Sequence, residues 1–437
     1  MKRMLSFSLT LIMLLSILAA CGTTTSTTAP APAATSATGG AATTAPAPGG
    51  DATAAPAPGG AMPSSITIVS SLPRTGSSKG QTDTIVNAIN MRLEADNSTI
   101  CGGKVQVKYE DLDDATAAKG AWDEAKEAEN ANAAAANKDV LVYLGTFNSG
   151  AAKIAIPILN QAGLVMISPA NTNVGLTKPF KPGEPDVYYP TGKRNYTRVI
   201  PADDFQGAAG ANWAKELGVK SVYILDDTEL YGKGLADVFE KTAAANVIEV
   251  KGRDGIDPKA SDYKALMTKI KDTKPEMIYF GGITQSNAGQ LVKDMRSLMT
   301  ADEVKFMGPD GIFEEAFIEA AGADNAEGTY ITFGGVPPAK LQGKGGEWYA
   351  AYKAKFNAEP EAYAVYGYEA ANVAFAALNK SCDNLTRENV LKNVFATKDF
   401  AGVLGTWSFD ERGDTTLTEL SGQIVKDGKF EFVGLIK

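Results

Sequence analysis

From residue 66 to residue 311 the chain alternates short apolar runs with segments of helical period, and few folds accept that order. "ITIVSS" (66–71) precedes a helical pattern near 81–95, where Ile85, Ile89 and Leu93 recur every four residues. "KVQVKYED" (104–111) precedes an Ala-rich stretch, "ATAAKGAWDEAKEAENANAAAAN", that reads as one helix. "VLVYLGT" (140–146), "SGAAKIAIPILNQAG" and "LVMISPA" continue the series. After an irregular stretch rich in Pro and Tyr it resumes with "SVYILDD" (221–227), a helix from Tyr231 to about 245, "EMIYFGG" (276–282), a helix near 286–299 and "VKFMGPDG" (304–311). Strands that alternate with helices build parallel sheets, because a parallel pair needs a crossover and a helix supplies it.

The alternation breaks near 180–203, which predicts two βα series and two lobes. The tail differs. Helical patterns at 346–357 and 365–380 lead to "GTWSFDERGDT" and a hairpin, "SGQIVKDGKFEFVG", with an Asp-Gly turn signal. Such a tail must pack back on the lobes, so the chain crosses between them more than once and forms a hinge. The expected division is 64–200 with 336–400 for one lobe and 201–335 with 401–437 for the other. At 374 residues this body is too long for one core.

The first 63 residues do not read as fold. Lys2 and Arg3 precede an apolar run to Ala20, the outline of a secretory signal peptide over residues 1–20. The run ends Leu18-Ala19-Ala20-Cys21, which resembles the lipobox of bacterial lipoproteins and implies lipidation of Cys21. The alternative is cleavage near Ala20 beside an incidental cysteine. Residues 21–63 are nearly all Thr, Ala, Pro, Gly and Ser after that cysteine, a composition that buries no core and reads as a disordered tether spanning roughly 35 Å.

Composition excludes several functions. Loss of Lys2 and Arg3 with the leader leaves 40 basic against 51 acidic residues, net −11, unsuited to nucleic acid or anionic lipid. The chain has no histidine, which removes Ser-His-Asp catalysis, HExxH zinc sites and imidazole ligands, and no metal or cofactor is expected. With Cys21 taken by lipid, Cys101 and Cys382 remain. In an exported body they suggest one disulfide, worth about 3–5 kcal/mol by loop entropy, against two buried thiols.

In open parallel sheets, ligands sit beyond the carboxyl ends of strands. "PRTGSSKG" follows the first strand with Lys79, but lacks the Gly-x-x-x-x-Gly-Lys-Ser/Thr spacing of a phosphate loop. It reads as a solvated turn or another kind of ligand contact. "GTFNSG" (145–150) starts a helix with Ser149 as the natural N-cap beside Asn148, a place that also attracts a carboxylate. "SPANTN" (168–173) offers a turn, or backbone groups with a hydroxyl. Asp310 sits in a Pro-Asp-Gly turn, and Tyr231 opens a helix.

"VYLGTFNSGAAKIAIPILNQAGLVMISPANTNVGLT", "LDDTELYGKGLA" and "KFMGPDG" together resemble the leucine/isoleucine/valine-binding proteins of bacterial ABC importers. The resemblance implies the type I periplasmic-binding fold, an α/β architecture of two Rossmann-like lobes with parallel sheets joined by a three-strand hinge, which close over a ligand. It implies a non-enzymatic, monomeric, lipid-anchored extracytoplasmic protein that passes a small amino acid or related amide to permease subunits. A ligand-sensing receptor subunit of the same fold is the alternative. By motif, Ser149 would grip the ligand carboxylate, Ala170 and Thr172 would supply a carbonyl and a hydroxyl, Asp310 would meet the ammonium, and Tyr231 would close from the second lobe. Lys79 and Ile283 stand where the family often has pocket aromatics. Lys79 in that place points to a polar or acidic ligand rather than an aliphatic one, since a buried lysine beside an alkyl chain would be unpaired.

Overall fold

The computed structural model describes residues 62–437. The signal peptide, Cys21 and all but the last two residues of the tether lie outside the described residues. No helix among the described residues is long and apolar enough to cross a membrane.

The first lobe is built in the order β1 (Ser65–Leu72), α1 (Lys79–Ala95), β2 (Thr99–Ile100), β3 (Val105–Asp113), the short hairpin β4 (Ala115–Thr116) and β5 (Ala121–Trp122), α2 (Glu124–Ala136), β6 (Val140–Gly145), α3 (Ser149–Gln161), β7 (Val165–Ser168) and β8 (Tyr196–Arg198). Its six-stranded sheet runs β2-β3-β1-β6-β7-β8, parallel except for β2. Strands covered on both faces read as unbroken apolar runs, and every residue of β6 and β7 is buried.

The Ala-rich stretch is not one helix. Gly120 takes a left-handed φ of +65° and lets residues 115–122 fold as a hairpin. Asp123 then caps α2, its carboxylate accepting from the N–H groups of Ala125 and Lys126. The helix therefore starts nine residues later than its composition suggests, and Trp122 is placed on a hairpin edge.

The second lobe follows with α4 (Asp203–Glu216), β9 (Ser221–Asp226), α5 (Leu230–Ala245), β10 (Glu249–Gly255), α6 (Lys264–Thr273), β11 (Met277–Gly281), α7 (Ala288–Arg296), β12 (Lys305–Gly308), α8 (Glu315–Ala321), α9 (Ala323–Ala326) and β13 (Thr329–Gly334). The chain returns to the first lobe with α10 (Lys344–Phe356), α11 (Ala364–Lys380), α12 (Arg387–Phe395) and the hairpin β14 (Phe400–Gly402) and β15 (Gly405–Trp407). The last hairpin, β16 (Leu420–Lys426) and β17 (Lys429–Ile436), completes a sheet ordered β10-β9-β11-β12-β13-β16-β17. Its turn has Asp427 and Gly428 both at positive φ, as the Asp-Gly signal requires.

One expected boundary moves. Residues 401–407 stay with the first lobe, because Glu369 of α11 accepts the Trp407 indole N–H at 2.7 Å and the Val403 N–H at 3.1 Å. The third crossing then falls between Phe409 and Leu420. All three crossings touch. Arg198 bridges Asp414, Gly334 packs on Ile200 and Pro201, and the Gly335 N–H donates to the Glu419 carbonyl. Cys101 and Cys382 are joined, tying the turn after β2 to the end of α11.

Candidate functional site

Between the lobes lies a narrow cavity of about 30 Å³. Its walls come from the carboxyl ends of strands in both sheets. Phe147, Asn148, Ser149 and Gly150 follow β6, and Ala170 follows β7. Asp227 and Glu229 follow β9, Tyr231 lies in the first turn of α5, Ile283 follows β11 and Gly311 follows β12. Trp122 of β5 and Tyr363, just before α11, complete the lining. This is where a parallel sheet opens, since its loops diverge around the last strand residues.

On the first-lobe side the wall is the start of α3. Asn148, not Ser149, is the N-cap residue, and its side chain makes no capping bond. The Ser149 hydroxyl instead accepts the Asn173 N–H at 3.3 Å. The opening N–H groups of a helix have no partner within it and attract anions. Gly150 is required here, because a Cβ would stand 2.5 Å from the Trp122 ring. The Asn148 Oδ1 is buried and has no donor among the described residues. Asn171 ties this loop to the next one, donating to the Phe147 carbonyl at 2.9 Å.

The second-lobe side is acidic. Asp227 accepts from the Ser286 hydroxyl at 2.9 Å and from the Glu229 and Ile283 N–H groups, while burial pushes its carboxyl up to about 7. Burial also raises Glu229, with Lys119 opposing the shift and Glu124 adding to it. Asp310 is fully buried one layer behind the wall. It accepts from the Tyr231 and Tyr363 hydroxyls and from Gln206 Nε2 at 2.8 Å. Burial raises the Asp310 carboxyl, and these three donors act against the rise. Both tyrosine hydroxyls are pushed well above their usual range by burial and by Asp310. A carboxylate so saturated anchors two wall residues more directly than it offers itself to a ligand.

Of the residues singled out from sequence, Asn148, Ser149, Ala170, Tyr231 and Ile283 meet at the cavity. Thr172 does not line it. Its hydroxyl is buried beside Asp203, whose carboxyl burial pushes well up. Lys79 is a correction. It is the first residue of α1, its side chain is 55% exposed, and its ammonium pairs with Asp83 one helical turn on. With Lys79 outside, the expectation of an acidic ligand loses its support, since the charged side chains on the wall are carboxylates. Trp122, Phe147, Asp227, Glu229, Gly311 and Tyr363 were not singled out. Phe147 stands inside the "GTFNSG" loop and Gly311 inside the Pro-Asp-Gly turn, while Asp227 and Glu229 lie in the segment just before Tyr231. Trp122 was hidden by the helical reading of its segment, and Tyr363 carries no local signal.

Two parallel-sheet lobes, a hinge of three adjoining crossings and a cavity walled by both define a two-lobed solute-binding protein. The chain belongs to the periplasmic binding protein family, whose sequence pattern matches residues 65–428. It is 29% identical over 361 residues to the Leu/Ile/Val-binding protein BraC3 of Rhizobium johnstonii, covering 82% of this chain and 91% of that one. The leucine-binding protein LivK of Thermotoga maritima superposes with a TM-score of 0.74 at 25% identity, covering 85% of this chain and 99% of that one. A solute-binding protein of R. palustris in complex with benzoate shares the fold at a TM-score of 0.70 and 17% identity, over 85% of this chain and 96% of its own.

Proposed function

We propose that this chain is the solute-binding component of an ABC importer, held outside the cytoplasm by a lipid on Cys21 and working as a monomer. It captures a small amino acid or related amide between its lobes and delivers it to permease subunits. The observation that carries this reading is the polarity of the cavity. One wall is a helix start with the Ser149 hydroxyl, suited to a carboxylate, and the facing wall carries Asp227 and Glu229, suited to an ammonium. Trp122, Phe147 and Tyr363 supply apolar surface for the rest of the ligand. Asp310 acts by fixing Tyr231 and Tyr363, and Ala170 contributes backbone.

Ligand shifts the lobes toward closure because contacts to both walls exist only when they meet. Isothermal titration with the common amino acids and their amides tests the reading. At least one should bind, and Ser149→Ala should weaken it about tenfold or more, the loss of one charge-assisted hydrogen bond. Binding of benzoate with no response to any amino acid would overturn it.

A further inference from the structure

Glu229 stands alone among the charged groups at the cavity. Asp227 has three donors and Asp310 has three donors. Among the described residues the Glu229 carboxylate makes no salt bridge within 4.0 Å and accepts no hydrogen bond. Its backbone is fixed, with the N–H held by Asp227 at 3.1 Å and the carbonyl accepting from Lys233 at 3.0 Å. The side chain is half-buried and lines the cavity.

Across from it, on the other lobe, are Trp122 and Phe147, and four aromatic rings in all line the space. Among the described residues no Lys or Arg lines it. The charged groups that face Glu229 from neighbouring elements are Lys119 and Glu124. Lys119 is exposed, stacks over the Trp122 ring at 4.9 Å and does not reach the carboxylate. A half-buried carboxylate without a partner, facing aromatic rings, is open to a cation, and rings hold cations on their faces.

We infer that Glu229 and the facing aromatic rings form a subsite for a second positive charge, so that the preferred ligand is an amino acid with a cationic side chain. This rests on the proposed function and specifies the ligand of the same cleft. The α-carboxylate goes to the start of α3, the α-ammonium to Asp227, and the side-chain cation lies between Trp122 and Glu229.

The test is calorimetric titration of wild type, Glu229→Gln and Lys119→Met with arginine, lysine, leucine and glutamine. Wild type should bind arginine or lysine at least tenfold tighter than leucine. Glu229→Gln, which keeps the shape and removes the charge, should narrow that ratio about tenfold. Lys119→Met removes a repelling neighbour and should widen it. Leucine or glutamine binding as tightly as the cationic pair overturns the inference and leaves the proposed function standing. So does a Glu229→Gln variant with an unchanged ratio. If Lys119→Met weakens every ligand alike, Lys119 and Glu229 form a latch between the lobes instead, and the subsite is again overturned. No heat with any amino acid overturns both readings.

Discussion

Arg198→Met should lower the melting temperature of the described body by about 5 °C at pH 7. Arg198 is fully buried in the first crossing, and its Nε donates to Asp414 of the third crossing at 2.7 Å. Its remaining donors reach the Asn173 carbonyl at 2.8 Å, the Asn171 carbonyl at 3.3 Å and the Thr177 hydroxyl. Methionine keeps the length and removes all of these. Breaking a buried pair from one side costs about 3–5 kcal/mol, because the other charge is left behind. Lys178, 3.4 Å from Asp414, offsets part of that, so about 4 kcal/mol is a fair figure. At about 2.1 cal/mol/K per residue, 376 described residues give roughly 0.8 kcal/mol/K, hence about 5 °C.

Burial raises the Asp414 carboxyl, but Arg198 beside it outweighs that and holds it below the usual carboxylate range. A depressed folded value means the contribution is present above the unfolded value near 4 and lost as pH falls through the folded one. The calorimetric gap between wild type and variant should therefore shrink below about pH 4. Asp414→Asn should show a comparable loss at pH 7, and the double variant less than the sum. A melting temperature for Arg198→Met within 1 °C of wild type at pH 7 would falsify the assignment of hinge integrity to this pair.

Gly234→Ala should weaken ligand binding about threefold to tenfold, the worth of one hydrogen bond, and leave the unliganded melting temperature nearly unchanged. Its Cβ would meet the Asn173 Nδ2 at 2.4 Å, and that amide reaches across the cleft to the Leu230 carbonyl at 2.9 Å. Titration beside calorimetry checks this, and equal losses in both would refute it. Asp114→Asn should stabilise the protein increasingly as pH rises from 5 to 8. Burial and Asp113 raise the Asp114 carboxyl to about 8, and an acid raised on folding loses stability as pH climbs from its unfolded toward its folded value. Melting curves at pH 5 and pH 8 decide it, and a gap that narrows with pH would count against it.

The lobes were legible because parallel strands buried on both faces leave continuous apolar runs, and because the Asp-Gly turn of the last hairpin is a local device. Ser149 and Tyr231 were legible for a related reason, since each lies within a few residues of a strand end, where topology places a site, whereas Ala170 and Ile283 came from the resemblance of their motifs. Trp122 was not, since alanine content favours helix while Gly120 and Asp123 decide the backbone by a φ value and a cap. Nor was the layer in which Asp310 sits. It depends on Gln206 and Tyr363, one more than 100 residues before it and the other 53 after it. Lys79 shows the opposite error. Asp83, one turn along α1, captures its charge locally, and no loop pattern reveals that competition.

The hinge and the ligand wall are one piece of covalent chain, and this bears on how occupancy is signalled. Arg198 holds the carbonyls of Asn171 and Asn173. Asn171 in turn holds the Phe147 carbonyl beside Ser149, and Asn173 reaches the first turn of α5, next to Tyr231. A ligand that pulls Tyr231 toward Ser149 therefore loads the same loop that the buried Arg198–Asp414 pair pins. The buried pair needs no help from the ligand, since it is complete without one. Glu229 is different, because among the described residues its carboxylate has no partner at the cavity. Charge that is already satisfied fixes the hinge, and charge that is not gives the two lobes a reason to close on a cation.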